Sequence, residues 1–279
     1  MPTPSTTGAR PIRPGFVASP WSTVVLGAAG VLAFIAIWEF ASRAELVNPT
    51  FLPPFSAVAV TLGDVVAGEQ LREEFWTALG NTMLSWSVGL LLALVAGIVL
   101  GVAIGSIRWV REFTNSTIEF LRPIPSVGLI PIAVVIFGVR PTATIAIVVW
   151  ACFWVILIHV IYGVGDVDPV ANSTARSYGF KFRHRARWVV WPTVLPYLMT
   201  GLRLSGTIAL VVALTIEIVV RAPGLGAMIA KYQSAARADV VYALALLTGV
   251  LGLLINLAFQ VLEKRVLAWH SSVRGEIVP

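Results

Sequence analysis

Residues 77–107 read TALGNTMLSWSVGLLLALVAGIVLGVAIGSI, thirty-one consecutive positions without a charged side chain. A helix rises about 1.5 Å per residue, so about 20 apolar residues cross the hydrocarbon of a bilayer. This run is long enough to cross at a tilt or to project beyond the lipid. Within it Gly97, Gly101 and Gly105 recur four apart and share one helical face. Missing side chains let a second helix backbone approach closely, so the stripe predicts packing against another helix of the same chain, with a contact between subunits as the alternative.

Five further runs read the same way. They cover 22–41, 116–138, 141–163, 197–220 and 240–262, with Trp21 and Trp38 as interfacial anchors of the first. Between the first two spans lies a polar, amphipathic stretch, 42–75, containing NPTFLPP and EQLREEF. Composition agrees: 57% of the 279 residues are apolar, 12% are charged and mean hydropathy is +0.86. Soluble domains carry about 25% charge. The fold class expected is therefore an all-α polytopic membrane protein with six transmembrane helices spread over residues 21–270. Residues 1–20, rich in Pro, Ser and Thr, read as a disordered tail, and 271–279 as a second tail. The apolar run 24–38 resembles the core of a signal peptide but lacks a small-residue cleavage site, so it reads as a retained span.

Charge sets the orientation. With both termini in the cytoplasm, the inner segments hold twelve Lys and Arg and the outer ones six. The opposite orientation reverses that bias, so N-in and C-in is expected. The formal charge of +6 is then the ordinary cytoplasmic excess rather than a nucleic-acid footprint. The lone Cys152 lies in a span and reads as packing; His159, His184 and His270 have no ligand spacing, so neither metal nor cofactor is expected.

Segment 116–138 contains LRPIPSVGLIP, with Pro123, Pro125 and Pro131. Each proline removes a backbone donor and crowds the preceding turn, so the segment cannot be a straight lipid-facing helix. Irregular backbone at this depth survives where protein or a water-filled cavity satisfies it. Pro123 and Pro125 are therefore expected either to line a translocation path or to kink the bundle.

The densest charge lies in ARSYGFKFRHRARWVVWPTVLP, residues 175–196, within a cytoplasmic loop spanning 166–196. Asp168 before Pro169 is a helix-start signal, and Gly179 can adopt the left-handed conformation that ends the helix. Pro192 and Pro196 lead back toward the membrane. This stretch resembles the signature of binding-protein-dependent ABC importer permeases, in which Glu-Ala-Ala is followed after three residues by Gly and after nine more by Ile-x-Leu-Pro. The aligned residues are Ser173, Thr174 and Ala175, then Gly179, then Val189, Trp191 and Pro192; Ser173 and Thr174 depart from the family's Glu and Ala. RPIPSVGLIPIAVVIFG, TIEIVVRAPGLGAMI and EKRVLAW extend the likeness to the branch serving nitrate, sulfonates and taurine.

The resemblance implies a type I importer permease whose loop forms a coupling helix seated on an ATPase. It further implies two ATPase subunits, an external solute-binding protein and a second, identical permease copy in a bacterial inner membrane. The implied cargo is a small solute, an anion such as a sulfonate, nitrate, taurine or an organic carboxylate.

Five charges inside or beside the spans call for partners. Glu217 could line the path or latch an outer gate, or pair with a neighbouring helix. Arg203 could draw an anion into an inner cavity or reach lipid phosphates. Glu119 and Arg122, three apart, read as a helix-face pair, and Glu39 as interfacial. No enzyme is expected: GVGDVD (163–168) and GLGAMI (224–229) only partly imitate phosphate loops, no GK[ST] motif exists, and no nucleophile and acid–base set converges. A stand-alone ion-coupled secondary transporter is the alternative, disfavoured by the absence of an internal repeat.

Overall fold

The computed structural model describes residues 20–269, and every regular element among them is helical. The tails expected at either end lie outside the described residues apart from Pro20, as do His270 and the side chain of Trp21.

The chain divides into two compact units, the first running to Ala59. It contains α1 (Pro20–Arg43) and the start of α2 (Phe55–Ala67). The turn between them is tied down by side chains: Trp38 Nε1 donates to the Pro53 carbonyl at 3.0 Å and Ser42 Oγ to that of Leu52 at 2.7 Å. Glu39, expected at an interface, has a more specific task. It accepts from the Ser56 amide at 3.0 Å and from the Ser56 hydroxyl at 2.9 Å, so it satisfies an amide in the first turn of α2.

The second unit begins at Val60 and carries the remaining spans. The charge-free run forms α3 (Arg72–Ser106), starting earlier than hydropathy alone indicates because Arg72, Glu73 and Glu74 extend its first turn. After it come α4 (Arg108–Leu121), a 3₁₀ turn at Ser126–Leu129, α5 (Ile130–Phe137) and α6 (Pro141–Gly165). The single third span expected at 116–138 is thus corrected: α4 begins at 108, and the two arms bend by 81° at the break holding Pro123 and Pro125. Among the described residues five helices are long and apolar enough to cross a membrane, or six when the bent pair is counted as one span.

Helices α3 and α6 form the centre of this unit. Four glycines on α3 each face a residue 59 positions further along: Gly89 meets Val148, Gly97 meets Ile156, Gly101 meets Val160 and Gly105 meets Val164. A constant offset means two parallel helices in register. The stripe therefore serves packing within the chain, the first of the two expected uses, and it reaches two repeats earlier, to Gly89.

Beyond α6 lie α7 (Pro169–Ser177), one turn at Phe182–Arg185 (α8), a π-helical segment at Ala186–Val190 and α9 (Trp191–Val220). The fifth span was expected from 197, but α9 starts at Trp191. Pro192 sits where the π-helical segment passes into α9. Helix α9 runs antiparallel to α6: Gly163 abuts Val194 and Tyr197, whereas Gly201 abuts His159. Then follow α10 (Leu225–Ser234), which hydropathy did not reveal, and α11 (Ala238–Val266).

Candidate functional site

The helical hairpin between α6 and α9 is built by local signals. Asp168 Oδ1 accepts from the Val170 amide at 2.8 Å and caps α7. At the other end Gly179 has φ +76°, its amide donates to Arg176 O at 2.9 Å, and the Phe180 amide donates to Ala175 O at 2.9 Å. These two bonds are the Schellman closure, which needs a residue tolerant of positive φ. Arg185 Nε then donates to Asn172 Oδ1 at 3.0 Å and ties α8 to α7. That tie was not legible beforehand.

The matched residues divide by position. Ser173 and Thr174 are exposed and line a shallow recess of about 400 Å3 with Pro169, Val170 and Ser177. Ala175 is buried beneath them. Val189 is half-buried in the π segment, its carbonyl accepting from Thr193, and Pro192 is half-buried at the base of α9. Around the recess Val170, Tyr178 and Phe182 are more than 70% exposed, a large apolar area for so basic a hairpin.

At the opposite end of α9, Glu217 is fully buried. Its Oε2 accepts from Thr82 Oγ1 at 2.8 Å and from the Gly226 amide at 3.0 Å, while Thr82 Oγ1 accepts from the Leu225 amide at 2.9 Å. The carboxylate thus satisfies, directly and through one hydroxyl, the first two amides of α10. A Cβ on Gly226 would stand 2.5 Å from Leu214 O and 2.6 Å from Glu217 Cβ, so the loop closes only around glycine. Farther along α10, Lys231 Nζ donates to Glu74 Oε1 at 2.7 Å and Tyr232 O–H to Glu74 Oε2 at 2.9 Å. The bond to Glu74 pushes the Lys231 ammonium above its ordinary value. Helix α10 is pinned to α3 near both ends.

Arg203 Nη1 pairs with Glu263 Oε2 on α11 at 3.1 Å. Glu119 accepts from Asn115 at 3.0 Å rather than pairing with Arg122. Both Glu119 and Arg122 face a cavity of about 920 Å3 between α4, α6 and the start of α9. Arg111 also lines it, anchored on the Gly105 carbonyl, and Tyr197 O–H donates to Asp166 Oδ2 at 2.9 Å on its far wall. Pro123 lines this cavity and also a second one of about 480 Å3, where Pro125 joins it. Sequence reading missed the aromatic wall of that second cavity. Trp150 and Trp154, one turn apart on α6, were the available signal.

Residues 93–268 match the family described as "Binding-protein-dependent transport system inner membrane component". The chain is 28% identical over 254 residues to the taurine transport system permease protein of Escherichia coli strain K12, covering 90% of this chain and 91% of that protein. It is 25% identical over 241 residues to a putative aliphatic sulfonates transport permease protein of Bacillus subtilis strain 168, covering 86% of each. Among solved structures, a bacterial ABC transporter involved in the import of the acidic polysaccharide alginate superposes with a TM-score of 0.63 at 15% identity, over 90% of this chain and 97% of that one. That likeness carries the fold.

Proposed function

This chain belongs to the family of binding-protein-dependent transport system inner membrane components, and from that premise we propose that its cargo is a small oxyanion such as a sulfonate, taurine, nitrate or an organic carboxylate. The chain is a permease subunit of an ATP-driven importer of type I, a multi-pass inner-membrane protein that works with ATPase subunits and a solute-binding protein. Two identical copies and two ATPases form the working assembly, both chain termini lying on the cytoplasmic side. The excess of basic residues on that side supports the orientation, and the sulfonate-linked relatives support the cargo. The chain itself makes no bond. It converts a displacement of its hairpin into alternating access, so its two states lie close in free energy.

The observation that carries this reading is the closed hairpin 168–192, with α7 capped at both ends and its Ser173 and Thr174 face exposed beside apolar side chains. Rigid, partly apolar and cationic, it suits docking into a groove on a partner. A left-handed φ costs an ordinary residue about 1–2 kcal/mol, so Gly179→Val is expected to lower ATPase capture by the detergent-purified chain about tenfold. Gly179→Asn, which tolerates that conformation, retains most of it. Equal capture by all three chains, or uptake that persists without an ATPase, overturns the coupling role.

A further inference from the structure

Helix α4 does not follow the direction of the spans around it. Gly105 of α3 meets Val164 of α6, so these parallel spans end at one level, on the side of the helical hairpin. The arm from Ser126 to Phe137 turns back into α6 through residues 138–140 and shares its core, where Ile130 and Ala133 are buried with Ala143 and Ile147. Helix α4 is bent by 81° from that arm. It begins two residues after α3 ends, so it leaves that level running across the bundle rather than along it. None of its residues is buried.

Its side chains divide into three faces at helical spacing. Val110, Ile118 and Leu121 pack on the core around Trp154. Arg108, Glu112, Asn115 and Glu119, at intervals of four, three and four, form a polar stripe that pairs along itself: Arg108 Nε donates to Glu112 Oε1 at 2.8 Å and Asn115 Nδ2 to Glu119 Oε1 at 3.0 Å. Trp109, Phe113 and Phe120 form the third face, each at least 70% exposed. Three large aromatic rings side by side in water are costly to hydrate. An apolar half opposite a charged half is the pattern of a helix lying in a bilayer surface, the depth that Trp favours. Ile107, at the joint, and Val99 and Leu100, on the last turns of α3, are exposed as well. The aromatic face thus continues the apolar surface that a spanning helix turns to lipid.

We propose that α4 is an interfacial helix rather than half of a span, lying in the leaflet surface on the hairpin side with phospholipid covering Trp109, Phe113 and Phe120. Its polar stripe faces water. Asn115 and Glu119 of that stripe also line the 920 Å3 cavity, so lipid bound to the opposite face holds one wall of the cavity in place, whatever the cargo.

The chain has one cysteine, Cys152, which is fully buried, so a spin label goes to a single introduced thiol. The full-length variants are Trp109→Cys, Phe113→Cys and Phe120→Cys, with Glu112→Cys for the polar stripe, each reconstituted in phosphatidylcholine vesicles. Collision of the label with oxygen, which concentrates in hydrocarbon, and with a water-soluble nickel chelate reports depth. The three aromatic positions are expected to favour oxygen at depths that agree within about 5 Å, and Glu112→Cys to favour the chelate. An upright helix separates positions 109 and 120 by about 16 Å, at about 1.5 Å per residue, and that spread overturns the proposal. Labels reached by neither reagent and broadened by a second label nearby give the face to another copy of the chain, which also overturns it. So does a chelate response at Phe113→Cys equal to that at Glu112→Cys, which places the aromatic face in water.

Discussion

Gly101→Leu is expected to abolish folded protein. A Cβ at this position would stand 2.7 Å from Val160 Cβ and 3.1 Å from the Leu157 carbonyl, before any further leucine atom is placed. Neither neighbour can swing aside, since one is a β-branched carbon at the helix surface and the other is backbone. Overpacking a close-fitted interior costs about 1–3 kcal/mol where the structure can yield. Here the clash lies in a seam repeated at Gly89, Gly97 and Gly105, so relief at one glycine disturbs the register of all four. The loss should exceed about 3 kcal/mol and reduce the monodisperse, detergent-extracted yield at least about tenfold. Gly80→Leu is the control, because nothing lies within 4 Å of its built Cβ on the same helix. Equal yields from both variants would mean that α3 and α6 do not meet along this stripe.

Glu217→Ala is expected to cost about 3 kcal/mol. Truncation leaves the Gly226 amide and the Thr82 hydroxyl buried without their acceptor, and each orphaned group costs about 1–3 kcal/mol. Thr82→Val breaks the same chain at its middle link and should act through the same element, so the double variant loses less than the sum of the two. The measurements are thermal unfolding in detergent and hydrogen exchange of the α10 amides, which should accelerate before the rest of the chain. Glu217→Gln keeps an acceptor oxygen and should lose much less. A Glu217→Ala chain that melts normally yet fails in uptake would instead make Glu217 a group facing the cargo.

These two experiments separate what is local from what is not. The helical hairpin could be read from residues adjacent in the chain: Asp168 before Pro169 starts α7, and Gly179 ends it because the closing residue needs positive φ. The glycine stripe was equally visible, since the spacing of Gly97, Gly101 and Gly105 puts three gaps on one face, to which the structure adds Gly89. The third span illustrates the limit. Its prolines announced a break, but the 81° bend and the start at Arg108 depend on how Val110, Ile118 and Leu121 seat α4 against the core around Trp154. Hydropathy could not find α4, because Arg108, Arg111, Glu112 and Glu119 dilute its apolar face.

The amino-acid sequence by itself determined the membrane class and the conformation of the connecting hairpin. Each of those depends on hydrophobic length or on backbone preferences acting over a few residues. Only the tertiary structure decided what the buried polar groups do. Thr82 and Glu217 are 135 positions apart, and Arg203 meets Glu263 across 60. A polar side chain inside a membrane must find a partner, and the register of one helix on another chooses which; no local pattern records that choice.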